Sequence, residues 1–283
     1  MKKVAAIFLL LSSVTFVSEA SDLTNNVKSK FVNFLNQTLN ETFPLSEFAL
    51  SSGTSNEVTG SITLINPLTE NQSDNSFFQG SIFLSDDSRE TINLGLARRN
   101  LIKEDTLLLG ANLFYDHELD QNHKRTSLGL EAISSVGSLR YNRYWALSGK
   151  KTGVDNVIEE ALDGKDLKIS MPLPYLPTTN LNLRTFRWDG VDGTSDQKGD
   201  DISIKAEFSK IDLEVGKRSF NGDTEDQEFI RITYKCCNND NEKFRVSDKA
   251  YELISVENKR FVKVERENLI VKQKQMELSI IGF

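Results

Sequence analysis

Three groups of side chains in this 283-residue chain have the types and closeness that chemistry needs. Asp116, His117, Glu118 and Asp120 put three carboxylates beside an imidazole, a set suited to acid–base work or to a metal. They fall where an alternating segment runs into a polar connection, and a solvated acidic loop accounts for them. Asp189, Asp192, Asp196, Asp200 and Asp201 in WDGVDGTSDQKGDD offer carboxylate oxygens that suit calcium. The Asp-x-Asp-x-Asp order and closing Glu of a helix-loop-helix site are missing, however. Cys236 and Cys237 are adjacent, so they form neither a disulfide framework nor a zinc site of standard spacing. A strained adjacent disulfide, two free thiols and an intermolecular bond all stay open for them. A nucleophile needs a base in reach, but His117 and His123 flank one loop and no Gly-x-Ser-x-Gly occurs. No catalytic, cofactor-binding or metal-binding residue is assigned, and the chain is not expected to be an enzyme.

Charge removes another class. The chain has 34 Lys+Arg against 41 Asp+Glu, a net charge of -7, and no basic run. A nucleic-acid binder would show a basic patch, so no nucleic-acid partner is expected. Hydrophobic residues make up 38%, below the roughly 45–50% of soluble domains, a count that includes Gly. The chain therefore folds without one large apolar core. Lys2 and Lys3 precede the mostly apolar stretch Ala5 to Val17, and Ser18-Glu19-Ala20 supplies small residues around a cut after Ala20. Residues 1–20 read as a secretory signal peptide, too short and too rich in Ser and Thr for a membrane anchor.

Residues 22–42 carry Val27, Phe31, Phe34, Leu35 and Leu39 at helical spacing, with Pro44 beyond, which predicts a short amphipathic helix. From about residue 44 the period changes to two. Ile92, Leu94 and Leu96 alternate with Asn93, Gly95 and Ala97, and Ile202, Ile204 and Ala206 with Ser203, Lys205 and Glu207. Such segments predict twelve strands near 45–52, 57–66, 76–85, 90–100, 106–116, 126–134, 138–147, 166–173, 180–188, 201–208, 211–219 and 227–236. No segment after the leader is apolar enough for a membrane helix, so a membrane location requires a closed barrel. From the third strand on, long acidic connections alternate with short ones, the pattern of an outer-membrane barrel. A soluble sandwich also alternates and remains a rival. Polar residues such as Asn93, Asn112, Glu131, Arg140, Asn142, Arg184 and Glu214 share one face and would line a wet lumen. Phe77, Phe78, Tyr115, Tyr144, Trp145, Tyr175, Trp188, Phe220 and Tyr234 lie near strand ends and suit interfacial girdles.

Residues 91–147 carry, in order, Asn93, Gly95 and Arg98; then Gly110, Asn112, Phe114, Tyr115 and Asp116; then Gly129, Glu131 and Ala132; then Leu139 and Asn142. This ordered set resembles the β-domain of inverse autotransporters, the intimin and invasin family. Downstream, Pro172, Tyr175 and Pro177 resemble the family's Leu-Pro-x-x-Pro turn, and Phe186 to Gly190 its aromatic strand end. Tyr251 to Ile254 and Val264 to Val271 resemble its post-barrel linker. The likeness spans roughly residues 35–275.

The resemblance implies a twelve-stranded outer-membrane barrel with a periplasmic N-terminus and a linker rising through the lumen to a passenger outside. The division it implies is a signal peptide over 1–20, a periplasmic helix over 21–43, the barrel over 44–237, and a linker with a short stub over 238–283. The 46 residues after Cys237 could span about 150 Å when extended, against an apolar band about 25 Å tall. Expected partners are outer-membrane lipid, periplasmic chaperones and the barrel-assembly machinery; an extracellular ligand is unassigned. The chain stops at Phe283 with no adhesin domain, so the passenger is expected to be absent; Glu277 to Phe283 reads as its stub or as a terminal strand signal, and adjacent Ile280 and Ile281 favour the stub. The expected role is anchoring and translocating the C-terminal segment. A diffusion pore and a soluble secreted β-sandwich binding module are the alternatives. In a wide, hydrated lumen Asn93→Arg should be tolerated, whereas Leu94→Arg should meet lipid.

Overall fold

The computed structural model describes residues 45–54, 58–71, 74–85, 89–153, 156–222, 224–236 and 244–274. The leader expected over 1–20, the helix expected over 22–42, Cys237, the side chain of Cys236 and the stub expected over 277–283 lie outside the described residues. The strands are β1 (Leu45–Gly53), β2 (Val58–Glu70), β3 (Asp74–Ser85), β4 (Glu90–Ile102) and β5 (Leu107–Glu118). β6 (Lys124–Ser134), β7 (Gly137–Ala146), β8 (Lys151–Thr152), β9 (Ile158–Ala161) and β10 (Gly164–Leu173) follow. The chain continues through β11 (Leu176–Trp188), β12 (Gln197–Glu207), β13 (Ile211–Phe220), β14 (Gln227–Cys236) and β15 (Lys272–Lys274).

Twelve of these close a barrel in the order β1-β14-β13-β12-β11-β10-β7-β6-β5-β4-β3-β2. Closure by the antiparallel β1–β14 pair, from Ser46 opposite Cys236 to Gly53 opposite Phe229, leaves the barrel without a free edge. That is one of the two ways a backbone can satisfy its polar groups in lipid. β8, β9 and β15 form a separate sheet in the order β15-β9-β8. These three short segments lack alternation and were not anticipated. Among the described residues no helix is long and apolar enough to cross a membrane.

The barrel is apolar outside. Leu94 is 41% exposed, and Leu113, Leu128, Leu130, Ile202, Ile204, Ile230 and Ile232 are exposed with it, while Asn93 and Asp116 are 0% exposed. An apolar band this continuous is the surface a bilayer covers, not one that water tolerates. A sandwich would cover that face with a second sheet, and one closed sheet takes its place. Tyr115, Trp145 and Tyr234 are exposed as interfacial aromatics should be. Phe77, Tyr144 and Trp188, expected in the girdles, are instead buried in the lumen. Their parity tells why: in β7, Tyr144 follows Arg140 and Asn142 on the inward face, as Trp188 follows Asn182, Arg184 and Phe186 in β11.

Short turns at residues 103–106, 135–136, 174–175 and 208–210 share one rim, and the longer connections share the other. Three apolar clusters lie inside the barrel, and residues after β14 complete two of them. Val264 packs with Ile65, Phe77, Ala97 and Phe114, and Val256 with Leu101, Leu108 and Ile133. Tyr144, Leu162, Phe186 and Trp188 form the third, with Val271 against it.

Candidate functional site in the lumen

The segment after β14 crosses the barrel from the short-turn rim to the long-loop rim. At the first rim the Val256 amide donates to the Asp105 carbonyl. At the second, the Leu162 amide donates to the Val271 carbonyl, and β15 pairs with β9, Lys272 opposite Ala161. Residues 257–271 therefore run through the lumen as a linker.

The wall from β3 to β7 grips this linker by its backbone. Gln79 accepts from the Val264 amide at 2.7 Å, and Arg99 donates to the carbonyls of Lys259, Arg260 and Val262 at 3.2, 3.0 and 2.6 Å. Arg125 donates to the carbonyls of Glu267 and Leu269 at 2.8 and 2.9 Å, and Asn93 to that of Asn268 at 2.9 Å. The Tyr144 hydroxyl accepts from the Glu267 amide at 2.8 Å and donates to Asp166, also at 2.8 Å. A segment with no sheet partner must find hydrogen bonds at membrane depth, and these side chains supply them.

Side chains set the register. Asp116 accepts from Arg266 at 2.8 and 2.6 Å, from Arg125 at 2.8 Å and from Asn93 at 2.8 Å. The Arg266 guanidinium lies 4.5 Å from the Phe114 ring centroid and 5.5 Å from that of Tyr144. Glu131 holds Arg99 at 2.7 Å, Lys168 meets Glu265 at 2.7 Å and Arg184 meets Glu267 at 3.1 Å. Buried charges survive where each has such partners, and removing one partner strands the other.

The sequence motifs converge here. A Cβ on Gly95 would stand 2.2 Å from the Phe114 ring, and one on Gly129 would stand 2.5 Å from Asn112 and Asn142. The two glycines leave room for the ring and amides against the wall. Arg98, by contrast, faces outward and pairs with Asp74 at 2.7 Å, and its neighbour Arg99 is the linker-holding residue the motif reading missed. Alternation with Asn93 and Ala97 was the signal for Arg99. Asp116 and Glu118, expected in a solvated loop, are buried on the inward face of β5; only Asp120 fits that description.

The opposite wall leaves space. A cavity of about 300 Å³ lies between the linker and Glu47, Ser51, Ser61, Asp201, Ser203, Glu214 and Arg231.

At the long-loop rim Glu118, His123 and Glu159 bring potential metal-binding atoms within 4.8 Å of one another. Arg89 binds Glu159 through two bonds of 2.9 and 3.0 Å, and Lys272 meets Glu118. Two cations already balance two carboxylates, so a buried divalent ion would add uncompensated charge. The cluster works as an ionic latch tying β9 and β15 to the barrel. Burial and the Lys272 ammonium push His123 down to about 4. Its Nδ1 lies 3.1 Å from Ser148 Oγ, a serine–histidine contact the sequence did not anticipate. At such a low proton affinity the imidazole is a poor base at neutral pH, and Ser148 Oγ also accepts the Lys124 amide. His117 bonds Asn122 at 2.8 Å. In the aspartate-rich loop Asp189 and Asp196 pair with Arg187 and Asp192 with Lys150, while Asp201 lies in β12 and pairs with Arg184 and Arg218.

A closed twelve-stranded barrel, apolar outside and polar within, defines an outer-membrane β-barrel. The chain belongs to the inverse autotransporter β-domain family, whose model matches residues 11–268. It is 27% identical over 155 residues to a putative attaching and effacing protein homolog of Escherichia coli K12, covering 53% of this chain and 52% of that one. It is 28% identical over 116 residues to invasin of Yersinia enterocolitica, covering 40% of this chain and 14% of invasin. The match to the inverse autotransporter adhesin YeeJ of E. coli K12 is 32% over 107 residues, 37% of this chain and 4% of the adhesin. The chain thus spans about half the length of the first relative and far less of the others. A structure solved in work on in-meso crystallization of membrane proteins superposes with a TM-score of 0.67 at 18% identity, over 82% of this chain and all of that one.

Proposed function

We propose that the barrel anchors and translocates its own C-terminal segment, holding the linker in the lumen while later residues stand outside the cell. The carrying observation is the grip of Gln79, Asn93, Arg99, Arg125 and Tyr144 on the backbone of residues 259–269. Side chains that bind carbonyls and amides accept any polypeptide, which suits a passage. The pairs of Arg266, Glu265 and Glu267 fix one final register.

In this reading residues 1–20 are removed after Ala20, residues 21–43 lie in the periplasm, the barrel spans 44–237, and the linker begins at 238. The short turns face the periplasm and the long loops the exterior, as in other outer-membrane barrels. Periplasmic chaperones and the barrel-assembly machinery deliver it, and its role is mechanical, without catalysis. The relatives' names, attaching, invasin and adhesin, support a place in surface attachment. An epitope appended after Phe283 tests this: intact cells should bind the antibody, and an epitope reached only after the outer membrane is opened overturns it. A second reading, a diffusion pore, has the 300 Å³ cavity beside the linker in its favour. Conductance separates the two.

A further inference from the structure

Before it enters the lumen, the chain runs as a belt along the short-turn rim. Phe244 stacks on Phe208 at the β12–β13 turn, ring centroids 5.5 Å apart and planes at 25°. At the β10–β11 turn the Ser247 amide donates to the Tyr175 carbonyl at 2.9 Å, and the Tyr175 amide to the Ala250 carbonyl at 3.2 Å. At the β6–β7 turn Ser135 Oγ donates to the Glu252 carbonyl at 2.8 Å and accepts from the Ile254 amide at 2.9 Å. At the β4–β5 turn Val256 bonds Asp105 and is buried against Leu101, Leu108 and Ile133. The belt thus meets four successive hairpin turns in the order they occur around the barrel. Tyr175, a bulky residue at φ 65°, adopts the left-handed backbone where it pairs with the belt.

The belt could cross this arc on backbone bonds with polar side chains. It exposes apolar ones instead: Val246 is 72% exposed, Leu253 59%, Tyr251 54% and Phe244 44%. Both ends of this apolar strip continue the lipid-facing band. Phe208, under Phe244, has the parity of Ile202 and Ile204 and is exposed with them. Val136 and Leu139, exposed at the β6–β7 hairpin, adjoin the turn that holds Glu252 and Ile254. Arg245 and Lys249 lie between, both exposed, with the Lys249 ammonium paired to Glu252 at 2.6 Å. Aromatic and aliphatic side chains interspersed with charges, Arg245 and Lys249 beside Asp248 and Glu252, at the edge of an apolar band are the chemistry of a bilayer interface, where rings sit at headgroup depth and charged groups reach the zwitterionic headgroups.

We propose that residues 244–256 form a phospholipid-binding belt, lying in the headgroup region of the leaflet that faces the short turns. Lipid then holds the linker's root against the rim, so the chain enters the lumen beside β4 and not through the cavity side. The inference needs only the membrane-embedded barrel and stands whether or not the chain translocates a passenger.

A photoreactive benzoylphenylalanine at position 246, 251 or 253 tests it in the full chain. The protein is folded into vesicles of phosphatidylethanolamine and phosphatidylglycerol, irradiated and analysed by intact mass. Position 139 on the outer wall is the positive control, and position 104, at the exposed tip of the β4–β5 turn, the negative one. Phospholipid adducts at Tyr251 and Leu253 comparable with those at Leu139, and several-fold above those at Glu104, support the belt. Adducts no more frequent than at Glu104 overturn it. So does irradiation in cells that links these positions to a periplasmic protein in place of lipid. Val246→benzoylphenylalanine gives an independent reading if a substitution at 251 or 253 prevents folding.

Discussion

The two walls of the lumen are built from the same kinds of residue and behave differently. From β3 to β7, Gln79, Asn93, Arg99, Asp116 and Arg125 are buried, and their bonding capacity goes to the linker or to one another. Across the lumen Ser51, Ser61 and Arg231 face a cavity of about 300 Å³, and Glu47 beside them pairs with Lys263 of the linker. A polar inward face therefore does not mean a wet one. On the first wall the linker replaces water, and every buried charge depends on a particular partner; on the second, water can stand in for a lost partner.

The largest break in this comparison should come from Asp116→Ala. It removes the shared acceptor of Arg125 and Arg266. Leaving buried charges uncompensated costs about 3–5 kcal/mol, read as a lower urea midpoint in lipid vesicles; an unchanged midpoint would mean the linker is not seated there. Leu94→Arg breaks the contrast between inside and outside. A cation on the lipid face near the midplane costs about 2–4 kcal/mol, and wild-type stability would remove Leu94 from the lipid. Asn93→Arg comes next. The structure reverses the expected tolerance, because Asn93 is fully enclosed by Ser81, Asp116 and Asn268. Lost hydrogen bonds and overpacking should cost about 1–3 kcal/mol. The matched change Ser61→Arg, on the cavity wall, should stay within about 0.5 kcal/mol. Equal effects of the two arginines would erase the difference between the walls.

The smallest effect concerns the outer latch and pH. Arg89, Glu118, Glu159, Lys151 and Lys272 surround His123, whose proton affinity burial and the Lys272 charge depress to about 4 from an ordinary 6.5. A lowered histidine contributes stability that is full above its unfolded value and declines as pH falls toward its folded one. Spin labels at Glu160 and Gln273, opposite each other in β9 and β15, should show a distance distribution that broadens as pH falls from about 6.5 toward 4. Tightening on acidification would contradict this assignment.

Much of this was legible in the residues. Alternation located the twelve barrel strands to within a few residues, because one face must meet lipid and the other cannot. The motifs Gly110 to Asp116, Gly129 to Ala132 and Val264 to Val271 pointed to the parts that meet in the lumen. Parity says more than residue type. It places Tyr144 with Asn142, and Asp116 with Asn112, on the inward face, yet residue type alone suggested a girdle and a loop. Other features left no local signal. β8, β9 and β15 pair through backbone groups of short polar stretches, and the rim belt has no periodicity because it follows turns instead of a sheet. The dryness of one wall depends on a segment more than a hundred residues away in sequence, such as Arg266 from Asp116.

The central claim, that the linker fills the lumen against one wall, is tested most directly by single-channel conductance of the full chain and of a chain ending at Asn238 in planar bilayers. The account predicts a small conductance for the full chain that rises several-fold on truncation. Equally large conductance from both would contradict it and leave a diffusion pore.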